Sequence, residues 1–209
     1  MLVQERQETI RVDGAFGGSP VNRLVSALFD RLESGMLACD ARGRVLHANL
    51  AARRELQATD VLSVVDHHVR CIPAFQDAWA GALQDAALRH RSRLLTLGSA
   101  SGRLMVATMP LHVDDFDDPV ALVMMGRRQV CSPLGLELLA SVHGLTFAES
   151  RVLRALVGNS TPREIAATHG VALATVRTQI QSVRDKIGVR SIDALLLRAA
   201  EVPPMIARA

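Results

Sequence analysis

The chain has 209 residues, 49% of them hydrophobic and 22% charged, which is enough for one or two ordinary hydrophobic cores. No apolar run approaches the roughly 18 residues of a membrane span, and no charged-then-apolar leader opens the chain, so we expect a cytoplasmic protein without membrane contact. Three widely spaced cysteines, Cys39, Cys71 and Cys131, argue against a disulfide framework.

The net charge of +3 is unevenly distributed along the chain. Residues 145–209 hold nine Lys or Arg against five Asp or Glu, a net charge of +4, whereas residues 1–144 hold fifteen against sixteen. A protein that neutralises nucleic-acid phosphates needs such a basic excess. The same excess is ordinary for a protein surface, so it supports DNA binding only together with other features.

Two segments precede the first predicted strand. Residues 1–19 are charged and then rich in Gly, with too few apolar side chains to bury, which predicts a flexible arm. From Pro20 onward, apolar residues recur at helical spacing, and Gly35 follows the last of them. This pattern predicts an amphipathic helix over residues 20–34.

Strands and helices follow in an order that is similar to PAS domains. The predicted elements are strands at 36–39 and 44–48 around a tight turn, a helix capped by Asn49, a helix over 75–90, and strands at 93–97, 104–112 and 120–126. The string Asp40-x-x-Gly43-x-Val45-x-x-x-Asn49 also resembles the opening of PAS domains. The resemblance implies a five-stranded antiparallel sheet with helices over one face, in a sensor and dimerisation domain over residues 20–130. An α+β domain of another lineage is the alternative.

Two other kinds of sensor domain are disfavoured. A phosphorylation receiver needs alternating strands and helices with an acidic pair after the first strand, whereas the acidic run at 114–118 comes far too late. A quorum-type ligand domain resembles an aromatic-rich pocket, and this chain has one Trp, no Tyr and five Phe.

A few residues of this half have side chains that bind metals in other proteins. His67, His68 and Cys71 are closely spaced, but no second pair completes a tetrahedral site, so a partly exposed loop is the simpler interpretation. His90 has the residue type of a haem ligand, yet the arginines around it indicate a surface position. Cys39 falls in a strand and is expected in the core.

The sequence also lacks the motifs of known catalytic and calcium sites. The aspartates at 114–118 lack the glycine and terminal glutamate of a calcium loop, so we interpret them as a solvated hairpin tip. There is no nucleophile elbow, phosphate-cradling glycine loop or recognisable carboxylate pair. We therefore expect neither a metal, a cofactor nor an enzymatic activity.

A leucine-rich segment joins the two halves. Residues 131–144 carry a helical pattern that starts at Pro133, and we predict a linker helix there. Together with the helix at 20–34, it either packs against a second copy as a dimer seam or covers the sheet of its own chain. Both interpretations stay open.

Residues 145–209 show the start and stop signals of short helices. Thr146 and Thr161 are each followed three residues later by a glutamate, the spacing of a capping box. Gly170 supplies a left-handed turn residue before a third helix over 172–187. On that helix four apolar residues recur at spacings of four, three and four, which predicts one buried face: Val176, Ile180, Val183 and Ile187. Two short helices joined by a glycine turn are typical of a helix-turn-helix.

These segments resemble the LuxR-type (NarL/FixJ-type) helix-turn-helix regulators. The matching stretches are Leu145-Thr146, Glu149-Ser150-Arg151-Val152-Leu153, Thr161-Pro162-Arg163-Glu164-Ile165-Ala166, Thr175-Val176-Arg177 and Lys186-Ile187-Gly188-Val189-Arg190-Ser191. The resemblance implies an all-α DNA-binding domain over residues 145–209, with a fourth helix at 191–200 that supports dimerisation. Three residues depart from the family pattern: Ala172 at the cap of the third helix, Gln179 and Ala148.

The same resemblance and the polar outer face of the third helix together indicate which residues contact DNA. The predicted DNA-binding set is Arg177, Thr178, Gln181, Thr175, Lys186, Thr161, Arg184 and Ser182. The first three match base-reading positions, because arginine can pair with guanine and glutamine with adenine through two hydrogen bonds. The threonines at 161 and 175 and the lysine at 186 match phosphate-contact positions, and the other two lie on the same polar face. A solvated helix face is the alternative for each of them.

The expected fold class is therefore α+β, a PAS-like five-stranded antiparallel sheet with helices followed by an all-α helix-turn-helix domain. We expect a sequence-specific transcriptional regulator, nucleoid-associated in the cytoplasm, that binds double-stranded DNA as a homodimer and senses a signal. An unidentified small-molecule ligand or RNA polymerase is a further expected partner. Alternatively, the helical unit resembles the fourth region of sigma factors and is a protein-interaction module that docks on polymerase or another regulator.

Overall fold

A computed structural model of the chain describes residues 20–99, 102–113, 118–126 and 130–203. Its contacts divide the chain into two compact units, residues 1–126 and 127–209. The predicted arm at 1–19 and most of the acidic run at 114–118 lie outside the described residues. Within the described ranges, no helix is long and apolar enough to cross a membrane.

The first unit is a five-stranded antiparallel sheet with helices. Its helices are α1 (Pro20–Phe29), α2 (Leu50–Ala58) and α3 (Gln76–Arg89), with a one-turn 3₁₀ helix at Pro73–Phe75. Its strands are β1 (Gly35–Asp40), β2 (Val45–Ala48), β3 (Leu62–Val65), β4 (His68–Cys71), β5 (Arg93–Ser99), β6 (Gly102–Leu111) and β7 (Val120–Met125). The sheet order is β2-β1-β7-β6-β5, while β3 and β4 form a separate two-stranded sheet. This is the PAS order, with the first and last strands paired, so the predicted fold class is confirmed.

The core of the first unit lies between the sheet and helices α2 and α3. Alternate strand residues point into it, as the two-residue period of a strand requires. From α3, Trp79 and Leu83 are buried there, and the indole Nε1 of Trp79 donates to the carbonyl of Val69 at 3.3 Å. The prediction that Cys39 belongs to the core is confirmed. Burial and the neighbouring charge of Asp40 raise the pKa of its thiol to about 12, so the thiol stays protonated.

The hairpin of β3 and β4 was not indicated by the sequence. His68 begins β4 and Cys71 ends it with a buried side chain, so the loop expected for these residues is wrong for both. Asp66 and His67 form the turn, and their φ angles of 49° and 61° are those of a type I′ turn. Such turns usually carry asparagine and glycine, which explains the weak signal. Among the residues described, no three His, Cys, Asp or Glu side chains are grouped so as to hold a metal ion.

A buried carboxylate closes the C-terminal end of α3. Asp85 accepts hydrogen bonds from Arg89 and Arg93, each at 2.7 Å, and these bonds hold the pKa of Asp85 below its ordinary value. His90 follows as the C-terminal cap, with a left-handed φ of 52° and an exposed side chain. The surface position expected for His90 is therefore confirmed.

The second unit is helical throughout the range 130–203. Its helices are α4 (Pro133–Val142), α5 (Phe147–Val157), α6 (Pro162–His169), α7 (Leu173–Ile187) and α8 (Ile192–Ala200). They share one apolar core, which includes Leu136, Leu139, Leu153, Ile165 and Leu195. The segment predicted as a linker helix thus packs its apolar side chains, from α4, into the core of this unit.

Helix α1 ends at Phe29, before the predicted end at residue 34. The carbonyl of Phe29 accepts a hydrogen bond from Asn49 Nδ2 at 3.2 Å, and the carboxylate of Asp30 accepts one from the N–H of Leu50 at 2.7 Å. Arg53 also donates to Asp30, at 3.3 Å. These contacts with the start of α2 turn the chain out of the helix. The apolar spacing of the sequence continues through this turn, which explains the overlong prediction.

Asn49 is fully buried and joins three segments of the first unit. Its Oδ1 accepts from the N–H groups of Met36 and Ala52, both at 2.9 Å. Its Nδ2 donates to the carbonyls of Phe29 at 3.2 Å and Ser34 at 2.9 Å. The predicted cap of α2 is confirmed, and the same amide also holds the start of β1 and the end of α1.

We expect Asn49→Ala to lower the free energy of unfolding of the first unit by about 2 to 4 kcal/mol, because it leaves several buried backbone groups without partners. Trp79 is the only tryptophan and lies in this unit. Its fluorescence, recorded during urea unfolding, therefore reports the stability of the first unit alone. Gln57→Ala, at an exposed position of α2, is the matched control and should change the value by less than about 0.5 kcal/mol. Equal stabilities for the two variants would contradict the role of Asn49.

Candidate nucleic-acid interface

Helices α5 and α6 both begin with capping boxes. Thr146 Oγ1 accepts from the N–H of Glu149 at 3.3 Å, and Glu149 Oε2 accepts from the N–H of Thr146 at 2.6 Å. Thr161 and Glu164 repeat the arrangement at 3.3 and 2.7 Å, with Pro162 in the first turn of α6. Both capping boxes were predicted and are confirmed.

Three residues connect α6 to α7. Gly170 ends α6 with a left-handed φ of 66°, a conformation that side chains disfavour. Ala172 occupies the cap position of α7 and makes no side-chain hydrogen bond there, as its departure from the family pattern implies. The predicted succession of a short helix, a glycine turn and a longer helix is thus present.

Helix α7 has one buried and one exposed face. Its buried side chains are Val176, Ile180, Val183 and Ile187, at the predicted spacing. Its exposed polar side chains include Thr175, Arg177, Thr178 and Gln181. The predicted division of α7 into two faces is confirmed, while contact of the exposed face with DNA stays a prediction.

The three predicted base-reading residues differ in how many of their polar atoms already form hydrogen bonds within the chain. Within the described part of the chain, nothing accepts a hydrogen bond from the Arg177 guanidinium. Thr178 Oγ1 donates to the carbonyl of Ala174 at 3.1 Å, which uses its only donor. Gln181 Nε2 donates to Asp185 Oδ1 at 2.7 Å. Arg177 therefore has the most donors left for a ligand.

Arg184 is bonded within the helical unit. Its Nη1 donates to Gln181 Oε1 at 3.3 Å, and its Nη2 donates to the carbonyl of Arg190. The half-buried guanidinium thus spans the turn that follows α7. Gln181, held between Arg184 and Asp185, keeps one N–H and one lone pair of its amide for a ligand.

Ser182 and Lys186 direct their polar atoms toward α5. Ser182 Oγ donates to Glu149 Oε1 at 2.6 Å, and Lys186 Nζ donates to Glu149 Oε2 at 2.7 Å. Lys186 Nζ also donates to the carbonyl of Gly144 at 3.2 Å. The Glu149 side chain is only 9% exposed. We shall call Glu149, Ser182 and Lys186 the α5–α7 anchor.

The sequence carried a signal for the α5–α7 anchor that capping alone does not explain. Glu149 stands on the buried stripe of α5, three and four residues before Val152 and Leu153. A carboxylate in an apolar stripe needs a cationic or hydrogen-bonding partner, and such a partner comes from elsewhere in the fold. Lys186 is the only lysine of the chain and provides that cation.

The two predicted threonines outside the base-reading set lie near helix starts. Thr161 caps α6 and its Oγ1 accepts a backbone hydrogen bond, which leaves the hydroxyl hydrogen available. Thr175 lies in the first turn of α7 and is exposed. Both positions combine a hydroxyl with the partial positive charge of a helix N-terminus, which favours anions.

The sequence matches no protein-family model and no curated protein. Among solved structures, it is similar to the phage VqmA–DPO complex, with 18% identity over 87% of this chain and 91% of that chain and a TM-score of 0.39. A Vibrio cholerae VqmA–ligand–DNA complex is 21% identical over 90% of this chain and 91% of that one, with a TM-score of 0.37. The PAS domain of nitrogen regulation protein NR(II) from Vibrio parahaemolyticus is 16% identical over 50% of this chain and 97% of that one, with a TM-score of 0.34.

We expect the second unit to lose stability as the pH falls from about 4.5 to about 2. Hydrogen bonds from Lys186 and Ser182 lower the pKa of Glu149 from its ordinary 4.5 to about 2 in the folded chain. A carboxyl whose pKa is lowered by folding stabilises the fold above its unfolded pKa, and this stabilisation is lost as the pH falls through the folded value. Glu149→Gln should remove this part of the pH dependence.

Thermal unfolding followed by circular dichroism at 222 nm, with Trp79 fluorescence to separate the first unit, measures the effect. Glu164→Gln is the matched control, because Glu164 is an exposed capping-box glutamate whose side chain, among the residues the structure describes, bonds to Thr161 alone. This control should keep most of the wild-type pH dependence. Identical pH profiles for wild type and Glu149→Gln would show that the buried ion pair does not stabilise the fold.

Proposed function

We propose that the protein is a sequence-specific transcriptional regulator that binds double-stranded DNA as a homodimer, through a LuxR-type helix-turn-helix domain joined to a PAS-like sensing domain. The observation that carries this proposal is the two-faced helix α7. Its apolar side chains fix it on α5 and α6, while Arg177, Thr178 and Gln181 face solvent. A helix held on one side and polar on the other suits the major groove of B-DNA. The proposal includes no enzymatic activity.

Arg177 and Gln181 supply the proposed recognition of bases. The donors of Arg177, unused in the described structure, match the O6 and N7 acceptors of guanine. Gln181 keeps one donor and one acceptor, the pair that adenine N7 and N6 require. Thr178 has used its hydroxyl hydrogen within the helix, so its methyl group is the part suited to a thymine methyl.

Threonines and arginines at the edges of α7 supply the proposed contacts to the DNA backbone. Thr161 and Thr175 combine an exposed hydroxyl with a helix N-terminus, the arrangement that favours phosphate. Arg163, exposed on the first turn of α6, adds a positive charge beside Thr161. We include Arg184 in the proposed DNA-binding set because its guanidinium donates to Gln181 Oε1 and so orients the Gln181 side chain.

Helix α1 supplies the surface that we assign to the homodimer. None of its ten residues is buried, and five large apolar side chains are 37% to 65% exposed: Val21, Leu24, Val25, Leu28 and Phe29. A shallow apolar groove of about 160 Å³ runs beside it along the outer face of the sheet. A contiguous exposed apolar surface of this kind is typical of a protein interaction site. A second copy of the same surface completes a closed two-fold pair.

A two-fold pair explains how a signal would control DNA binding. Two copies of α7 read two half-sites about one helical turn apart, so a change in their spacing changes affinity. We propose an unidentified small molecule or RNA polymerase as the source of that signal. On this proposal the protein works in the cytoplasm, on nucleoid DNA.

We expect Arg177→Ala to weaken binding to the preferred DNA sequence by about 1 to 3 kcal/mol, because it removes a two-bond contact to guanine. The melting temperature should be nearly unchanged, since Arg177 is exposed. Selection of bound sequences from random DNA identifies the site, and fluorescence anisotropy measures the affinity. Arg198→Ala removes the same charge from the exposed surface of α8 and is the control.

Two outcomes would count against this assignment. Unaltered affinity of Arg177→Ala for the selected site would show that the exposed face of α7 does not read bases. A complex that is retained but indifferent to salt would favour the alternative of a protein-interaction module, because DNA binding through several phosphates weakens steeply as salt rises.

We expect Leu24→Asp combined with Leu28→Asp to convert the homodimer into monomers, since two charges would be buried in an apolar interface. Sedimentation velocity measures the change, and circular dichroism at 222 nm should show that the variant keeps the helical content of wild type. Its urea midpoint, followed by Trp79 fluorescence, should fall to the value of the wild-type monomer, because the stabilisation contributed by dimerisation is lost. Arg23→Asp introduces the same residue on another face of α1 and should leave the dimer intact. A dimer that survives the double substitution would place the interface elsewhere.

A further inference from the structure

We propose that the α5–α7 anchor sets the orientation in which α7 is presented to DNA, so that Ser182 and Lys186 act through Glu149 and make no phosphate contacts. This positioning role rests on the proposed DNA-binding function. It assigns to Glu149 a part in recognition, and it changes the role predicted from the sequence for Ser182 and Lys186.

The geometry of the anchor fixes both the distance and the rotation of α7. Ser182 and Lys186 are four residues apart, one turn of the helix, and each oxygen of Glu149 accepts from one of them. Two such contacts one turn apart restrict small rotations of the packed helix about its axis more than a single contact would. The same carboxylate is held at the start of α5 by the N–H of Thr146. The anchor therefore joins the start of α5 to the C-terminal half of α7.

The anchor lies directly beside the proposed base-reading residues. Gln181 precedes Ser182, and Thr178 lies one turn before it on the same helix. A two-bond contact to a base requires placement to within about 0.5 Å and 10 to 20°. The apolar face of α7 alone tolerates small rotations, because apolar contacts are not directional. The directional hydrogen bonds of Glu149 restrict these rotations and so place the base-reading side chains more precisely.

The charge of Lys186 is also unsuited to a phosphate contact. Its Nζ lies 2.7 Å from a carboxylate oxygen, so the pair carries no net charge. Two of its three hydrogens donate to Glu149 and Gly144. Neutralisation of a phosphate releases counterions and steepens the dependence of affinity on salt, which a neutral pair does not do. Salt dependence therefore distinguishes a positioning residue from a phosphate contact.

The test compares the full-length chain with three variants on its selected DNA site and on a random duplex of equal length, over a series of salt concentrations. Glu149→Gln keeps an acceptor for Thr146 but removes the charge that binds Lys186. We expect it to weaken binding to the selected site about tenfold, the equivalent of one base contact, with little change on random DNA. If Lys186 instead contacts phosphate, Glu149→Gln frees its charge and tightens binding to both duplexes, which would overturn the proposal.

Lys186→Met gives a second, independent measurement. We expect weaker binding to the selected site and an unchanged slope of log affinity against log salt. Arg163→Met, at a proposed phosphate contact, should lower that slope by about one. The proposal would be overturned by an equal loss of slope in Lys186→Met, or by wild-type affinity in this variant. Lys186→Arg, which keeps the charge, should restore the discrimination between the two duplexes.

Controls separate the anchor from general stability and from the proposed function itself. Asp193→Asn removes an exposed acidic charge from α8 and should leave the discrimination unchanged. Melting temperatures show that each variant is folded during binding. If wild type prefers no DNA sequence, the proposed function fails. Thermal unfolding of the two single variants and of the double variant Glu149→Gln with Lys186→Met still tests the anchor in that case. Additive effects on stability would show that the two side chains do not interact.

Discussion

The burial of one face of α7 is the constraint on which the helical unit depends. Val176, Ile180, Val183 and Ile187 follow the period of the helix, so burying them fixes which side chains face solvent. Arg177 and Gln181 are exposed because they stand between buried positions. The pattern that folds the unit thus also determines the surface offered to a partner. The packing of the helix and its proposed role in recognition therefore constrain each other.

The elements predicted correctly are those determined by short-range chemistry. Thr146 and Thr161 cap their helices through residues only three positions away, and Gly170 supplies a left-handed turn by itself. Asn49 was predicted as a cap for the same reason. The order of strands also followed from local alternation and from the resemblance to PAS domains. These signals place the proposed interface on α7 without knowledge of the tertiary structure.

The features that were not predicted have a weak local signal or depend on residues far apart in the chain. The hairpin of β3 and β4 has a turn of Asp66 and His67 without glycine, so its local signal is weak. Glu149 meets Lys186 37 residues later, and Asn49 meets Phe29 20 residues earlier. In each unit one buried polar side chain, Asn49 or Glu149, both caps a nearby helix start and bonds to a segment far away in the chain. A local sequence pattern indicates the capping role but gives no information on the distant hydrogen-bond partner.

Apart from the histidines, arginine supplies every basic side chain of this protein except that of Lys186. Guanidinium groups keep their charge far above neutral pH, and they are not acetylated as lysine amines are. The positive surface of the helical unit is therefore insensitive to the metabolic acylation that neutralises lysine-rich DNA-binding surfaces. The one amine that such chemistry can reach on a side chain is engaged with a buried carboxylate.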